Sequence, residues 1–240
     1  MSAAYKFLKG PIKSRRLGSS LGIDLLPRNI CSENCIYCEC GPTEVLTAER
    51  KEYVQTEKVI AELEEKLSQQ PACDYITFSG RGEPTLHEDI GEIIDFITTE
   101  FPSYRIAVLT NSTLLKCAGV RGELMKADLI VPSLDASRES TFQEVCRPAG
   151  GIYLEDIEKG IKLLSEEFYG KIFLEILLMP GINDSPREIE GFKRIIHQID
   201  PDRIDLNSVD RPPVESNAAG MTKKRLQSIA RKLPGKIKVF

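Results

Sequence analysis

Short apolar runs that alternate with amphipathic segments predict an α/β protein, a partial (β/α)6 barrel formed as one domain over residues 1–240. Three observations carry this. Six runs suit strands: Ser20–Leu26, Asp74–Ser79, Tyr104–Thr110, Asp128–Ser133, Lys171–Met179 and Arg203–Asn207. Strict alternation with helical stretches implies parallel strands covered by helices. Polar, turn-forming residues follow every strand, where βα barrels place their sites, whereas an open doubly wound sheet gathers function at one switch point.

Each helix is read from its apolar stripe. Val59, Ile60, Leu63 and Leu67 share one face, with Glu57, Lys58, Glu62, Glu64 and Lys66 opposite. Ile90, Ile93, Ile94 and Ile97 repeat the pattern, as do Ile157, Ile161 and Leu164, then Ile189, Phe192, Ile195, Ile196 and Ile199. Asp184-Ser185-Pro186 supplies a capping residue and a first-turn proline. Thr222 to Leu233 gives a last helix, and the tail from about residue 234 to 240 reads as a further strand. No linker or internal repeat divides the chain.

With 41% hydrophobic and 28% charged residues, composition excludes disorder, collagen and coiled coil. No apolar window reaches the length of a membrane span and no secretory signal opens the chain, so a cytoplasmic protein with no membrane partner is expected. The net charge of −4 hides an asymmetry: residues 1–30 and 193–240 are basic, and the middle is strongly acidic. Lys13-Ser14-Arg15-Arg16, Arg211 and Lys223-Lys224-Arg225 could meet phosphate, and a nucleic acid, a peptide and a metabolite all stay open as substrates.

Of the 7 cysteines, four fall at positions 31, 35, 38 and 40, an arrangement that suits metal binding or catalysis better than a disulfide framework. Cys31-Ser32-Glu33-Asn34-Cys35-Ile36-Tyr37-Cys38 is a C-x3-C-x2-C spacing directly after the first strand. Three thiolates on a short loop can close around an iron–sulfur cube and leave one iron open to an outside ligand. Tyr37 adds an aromatic face. A zinc site wants a second ligand pair, which is missing; His87 and His197 stand alone and read as surface or capping residues. An electron carrier would need a fourth cysteine, and Cys40 is the candidate.

The spacing, the aromatic residue before the last cysteine, and the Gly-Glu-Pro turn after the second strand resemble the radical S-adenosylmethionine (SAM) superfamily, with its TIM-like partial barrel. The resemblance implies that Cys31, Cys35 and Cys38 hold a [4Fe-4S] cluster whose fourth iron is chelated by SAM. It also implies reductive cleavage of SAM to methionine and a 5′-deoxyadenosyl radical, an oxygen-sensitive chemistry that belongs to the cofactors. Gly80, Gly82 and Glu83, in the variant form Gly80-Arg81-Gly82-Glu83-Pro84, match the turn that meets the methionine amino group. Asn111, Ser133 and Asp135 match positions that hold ribose and carboxylate. Arg147 would offer a fork to the methionine carboxylate, and Asn207 and Gly181-Ile182-Asn183 fall where adenine is expected.

Gly10-Pro11-Ile12-Lys13-Ser14-Arg15-Arg16-Leu17-Gly18-Ser19-Ser20-Leu21-Gly22-Ile23-Asp24 and Leu206-Asn207-Ser208-Val209-Asp210-Arg211-Pro212-Pro213 resemble a branch of small radical enzymes grouped with the tRNA wyosine-base synthases. No cysteine precedes Cys31, so the second-cluster pattern of those synthases is absent, and without a flavodoxin-like domain an external one-electron reductant of flavodoxin or ferredoxin type is implied. A nucleotide or RNA substrate is the first expectation. Cys40 and Cys146 are further candidates for catalytic thiols near the cluster, against the plainer reading of small apolar fillers. The rival is an iron–sulfur protein that binds RNA or a partner, or carries electrons, with Cys40 as fourth ligand.

Overall fold

The computed structural model describes residues 5–240. Strands β1 (Leu8–Ser14) and β2 (Gly18–Ile23) form an antiparallel hairpin, and β3 (Ile30–Cys31) and β4 (Val45–Leu46) pair as a two-residue ladder that brackets the cysteine loop. There follow α1 (Thr56–Ser68), β5 (Tyr75–Phe78), α2 (Ile90–Glu100), β6 (Ile106–Thr110), α3 (Ala118–Leu124), β7 (Leu129–Pro132), α4 (Glu139–Val145) and α5 (Leu154–Glu167). The chain ends with β8 (Lys171–Leu178), α6 (Pro186–Ile199), β9 (Arg203–Ser208), α7 (Lys223–Ala230) and β10 (Ile237–Val239).

The main sheet has eight strands in the order β1-β2-β5-β6-β7-β8-β9-β10, parallel throughout from β2 to β10. All six expected strands are present, within a few residues of their expected ends. The tail forms the seventh parallel strand beside β9. β1 and β10 are the two edges and do not pair with each other, so the barrel stays open. Among the described residues no helix is long and apolar enough to cross a membrane.

The two faces of the sheet bury different things. In β8, Ile172, Leu174, Ile176 and Leu178 are buried in the main core, which packs sheet against helices. The alternate residues Phe173, Glu175 and Leu177 lie on the other face, where Leu17, Ala107, Leu129 and Val131 form a separate apolar cluster that includes Phe173. That second face is the barrel lumen, by the period-two alternation of strand side chains. α6 shows how the outer layer is held: Ser185 accepts a hydrogen bond from Glu188 N at 3.2 Å and Pro186 opens the helix, while Ile189, Phe192, Ile195, Ile196 and Ile199 are buried. Each such apolar side chain contributes roughly 1.5–3 kcal/mol by leaving water.

The same helix start carries a buried carboxylate. Glu188 accepts from Ser137 N (2.7 Å), Ser137 Oγ (2.8 Å), Arg138 Nε (2.6 Å) and Thr141 Oγ1 (2.6 Å), tying α6 to the segment after β7. Burial works against its charge, but these donors win and hold its carboxyl below the usual range. Its stabilisation is therefore complete above the ordinary carboxylate pKa of about 4.3 and is lost as pH falls through the lower folded-state value. Glu188→Ala strands four donors and is expected to lower unfolding free energy by about 3 kcal/mol at pH 7. The deficit relative to wild type shrinks toward pH 3 in urea titrations.

Two features depart from expectation. β1 was not foreseen because it carries no apolar period: only Leu8 is buried, and Lys9 to Lys13 are exposed along an edge interrupted at Gly10-Pro11. His87 is fully buried rather than on the surface. Its Nε2 lies 2.8 Å from Val54 O, and its Nδ1 accepts from Asp89 N at 3.3 Å just before α2, which is a capping role. His197 is exposed in the last turn of α6.

Candidate functional site

The cysteine loop is held from three sides. Asn34 N and Ile36 N donate to Cys146 O and Val145 O (2.9 and 3.0 Å), and Ala149 N donates to Ser32 O at 2.8 Å, docking the loop on the segment that leaves α4. Asn29 Nδ2 donates to Gly41 O and Pro42 O, each at 3.0 Å, closing the loop on itself. A turn from Cys38 N to Cys35 O, 3.1 Å, brings the second and third cysteines together. All three cysteines are free and half-buried.

Their surroundings favour a cationic guest. Burial first, then Cys35, Glu33 and Glu83, push the Cys31 thiol well up. A hydrogen bond with Cys146, burial and Glu33 push up that of Cys35. Only Cys38 is lowered, chiefly by a hydrogen bond from Cys40. Several buried thiolates and carboxylates cannot be charged together unless a positive centre lies among them, and a thiol that coordinates such a centre is deprotonated. Three thiols on one loop fit an iron–sulfur cluster.

The turn after β5 is built by close approach. Gly82, at φ +96°, bridges Ile30 in β3, and a Cβ placed on it would lie 1.8 Å from Ile30 O. Gly80, at φ +124°, packs on the buried Asp24 side chain, 2.7 Å from where a Cβ would lie. Glu83 then points inward, accepting from Asn111 N (2.7 Å), Thr110 Oγ1 (2.7 Å) and Thr85 Oγ1 (2.6 Å). Burial raises its pKa and these donors restrain the rise. Arg81, the departure from the family pattern, is half-exposed and pairs with Asp24 at 3.2 Å. Sequence reasoning missed Asp24, although a lone acid after an apolar strand was its signal.

Asn111 reaches the cluster loop directly, its Nδ2 donating to Ser32 Oγ at 2.9 Å and lying 3.5 Å from Cys31 Sγ. Asn111, Ser133, Asp135 and Cys146 line one small hollow behind the loop, together with Glu33. Asp135 accepts from Leu177 N at 2.7 Å and from Tyr37 OH. Burial pushes its carboxyl up to about 7, with the two donors opposing and Glu175 adding. Buried Cys146 approaches Cys35 and Glu33, its thiol lying within 4.8 Å of their ligand atoms. The Cys35 hydrogen bond lowers the Cys146 thiol, but burial and the nearby acids outweigh it, to about 12. Cys40 is exposed, its sulfur 3.6 Å from Gly80 O.

Two expected cofactor contacts are otherwise engaged. Arg147 turns outward and pairs with Glu215 at 2.8 Å. Asn183 is fully buried and spends its side chain on backbone: Oδ1 accepts from Met179 N (2.6 Å), and Nδ2 donates to Asp135 O (2.8 Å) and Leu177 O (2.7 Å). It pins the turn after β8 and has no donor left for a base.

Asn207 does face the lumen, where a cavity of about 220 Å³ runs past Tyr37, Cys38 and Glu39 of the cysteine loop to the β1–β2 turn. Sequence reasoning missed its central carboxylate, Glu175, which receives Asn207 Nδ2 at 2.8 Å and the Arg16 guanidinium. A single acid in the apolar run Lys171–Leu178 was the available signal. The structure brings the N-terminal basic phrase to the C-terminal one here: Arg15 pairs with Asp210 and Arg211 with Glu39, both at 2.7 Å. Lys223 to Arg225 lie apart on α7, and Arg225 pairs with Asp184.

Comparison with known proteins agrees with this geometry. The family model "Radical SAM superfamily" matches residues 25–191. The chain is 36% identical over 220 residues to "GTPase Obg" of Brachyspira hyodysenteriae, covering 91% of this chain but only 32% of that longer protein. It is 34% identical to a "UPF0026 protein" of Synechocystis sp., covering 92% of this chain and 82% of that one. Among solved structures, TYW1 with a lysine–pyruvate adduct bound superposes with a TM-score of 0.63 at 18% identity, covering 88% of this chain and 72% of that one. With the family match spanning the cysteine loop and strands β5 to β8, and the loop, turn and partial barrel in place, the chain belongs to the radical SAM superfamily.

Proposed function

We propose that this enzyme binds a [4Fe-4S] cluster through Cys31, Cys35 and Cys38 and SAM at the iron they leave open, and acts on a substrate held in the barrel lumen. The observation that carries the reading is three free cysteines on one loop, with Cys38 lining that cavity and Cys31 following the Ile30–Gly82 bridge to the Glu83 turn. When bound, cluster and SAM supply one-electron cleavage to methionine and a 5′-deoxyadenosyl radical. Glu83 and the exposed carbonyls of its turn present negative charge suited to an ammonium. Asn111 fixes the loop against β6, and Tyr37 with Asp135 forms the wall between lumen and hollow, which excludes water from the reacting end. The electron comes from an external flavodoxin- or ferredoxin-type donor. A nucleotide or RNA substrate in the cytoplasm is favoured by the convergence of the basic phrases at Arg15, Arg16 and Arg211.

The test is anaerobic. Wild type and a Cys31/Cys35/Cys38→Ala variant are reconstituted with iron and sulfide, given dithionite and SAM, and assayed for 5′-deoxyadenosine. Product in the wild type alone is expected. A wild type that holds its full cluster and makes none would overturn the reading in favour of partner binding or electron transfer.

A further inference from the structure

We infer that the cavity bounded by the β1–β2 turn, the loop after β9 and Cys38 is a substrate subsite for an oxyanion, a phosphate or carboxylate group, held by Arg16, Arg15 and Arg211. This rests on the radical SAM reading and adds the chemical class of the substrate.

The three guanidiniums come from the β1–β2 turn and the loop after β9, yet they line one cavity with Cys38. Their present partners leave donors free. Arg15 and Arg211 each spend a single nitrogen, Nη1, on Asp210 and Glu39, although a guanidinium has five N–H donors in a fork matched to oxyanions. Both pairs are exposed, at 59%/62% and 63%/53% of the side chains, so each is weak and exchanges readily with a competing anion. Arg16 differs. Its Nη1 is buried and ion-paired with the Glu175 carboxylate, which also accepts from Asn207 Nδ2 at 2.8 Å. The guanidinium carries further N–H donors beyond that pair, which a bound oxyanion can take.

SAM does not account for three cations. On that reading the SAM carboxylate would be taken up at the open iron, and its ribose and adenine carry no charge. The arginines therefore match a second molecule, one that carries a negative group and keeps its reacting end toward the cysteine loop. A phosphate ester and a carboxylic acid share this chemistry, and the preferred probe separates them.

Anaerobically reconstituted, SAM-loaded protein is titrated calorimetrically with inorganic phosphate and, separately, malonate. The expected result is a Kd of about 1 mM or tighter for one of them. Arg16→Gln and Arg211→Gln each weaken it at least about tenfold, while Arg194→Gln, on the far surface of α6, changes it less than about twofold. Glu175→Gln removes the competing charge beside Arg16 and tightens binding at least about threefold, a gain that misfolding cannot imitate. Preference for phosphate assigns a phosphorylated substrate, and preference for malonate assigns a carboxylic acid. Binding of neither anion, an equal loss in Arg194→Gln, or a loss confined to SAM affinity in the lumen variants overturns the inference. A wild type that cleaves SAM but binds neither anion sinks this subsite alone. One that binds an anion but never cleaves SAM sinks the radical reading alone.

Discussion

Gly82→Ala is expected to abolish cluster loading, while Gly41→Ala in the same region leaves it nearly intact. Both glycines have positive φ, +96° and +87°, so an L side chain is strained at either. That backbone term costs of order 1–3 kcal/mol at each site. The difference lies in what the new methyl meets. At Gly41 nothing lies within 4 Å; at Gly82 it would sit 1.8 Å from Ile30 O and 2.7 Å from Leu26 Cδ1. Ile30 immediately precedes Cys31, and its carbonyl accepts from Glu83 N at 3.2 Å, so the clash falls on the joint between the cysteine loop and the Glu83 turn. The alanine must push β3 off that turn, displacing Cys31 and freeing a buried carboxylate from its donors. Iron per chain after anaerobic reconstitution should fall below about a tenth of wild type, with a stability loss above about 3 kcal/mol in urea. Gly41→Ala should lose only about 1 kcal/mol and keep its iron. Equal iron contents in the two variants would show that the close approach does not position the loop.

What was legible in the sequence follows from which interactions are local. The six inner strands were readable because burial on both faces, or alternation on one, writes itself into runs such as Tyr75-Ile76-Thr77-Phe78. The exposed edge strand β1 has no such constraint and left no apolar trace. The cysteine loop was legible because its three thiols fall within eight residues, in a C-x3-C-x2-C spacing. Residues whose partners lie far away in sequence were not. Arg16 and Glu175 are separated by most of the barrel, and only its curvature makes them neighbours. Asn183 shows the converse: it has suitable chemistry at a suitable place in the chain, yet the backbone of Asp135, Leu177 and Met179 already takes both its donors and its acceptor.

Cys38→Ala and Cys40→Ala should behave oppositely, although both remove a thiol from the same loop. Cys38 lies one turn from Cys35 and lines the lumen, whereas Cys40 is exposed and faces the Gly80 carbonyl. Interaction with Cys40 is the largest influence holding the Cys38 thiol below its usual pKa. On the three-cysteine reading, Cys40 is a neighbour of a ligand on the exposed side of the loop. Loss of Cys38 leaves two thiols, too few to hold the cube, so iron content and 5′-deoxyadenosine should both fall at least about a hundredfold. Loss of Cys40 removes one hydrogen bond of about 1 kcal/mol. Iron should remain above about half of wild type, and SAM should still perturb the electron paramagnetic resonance spectrum of the reduced cluster, because the open iron is untouched. The alternative makes the reverse prediction: if Cys40 were the fourth ligand, Cys40→Ala would shed the cluster and wild type would give no spectral response to SAM. Cys146 supplies the internal control. It is buried against Cys35 and Glu33, outside the loop, so Cys146→Ala tests whether a thiol merely near the cluster matters. If Cys40→Ala and Cys146→Ala both keep iron and the SAM response while Cys38→Ala loses them, the three-cysteine assignment stands on ligation rather than on crowding of thiols.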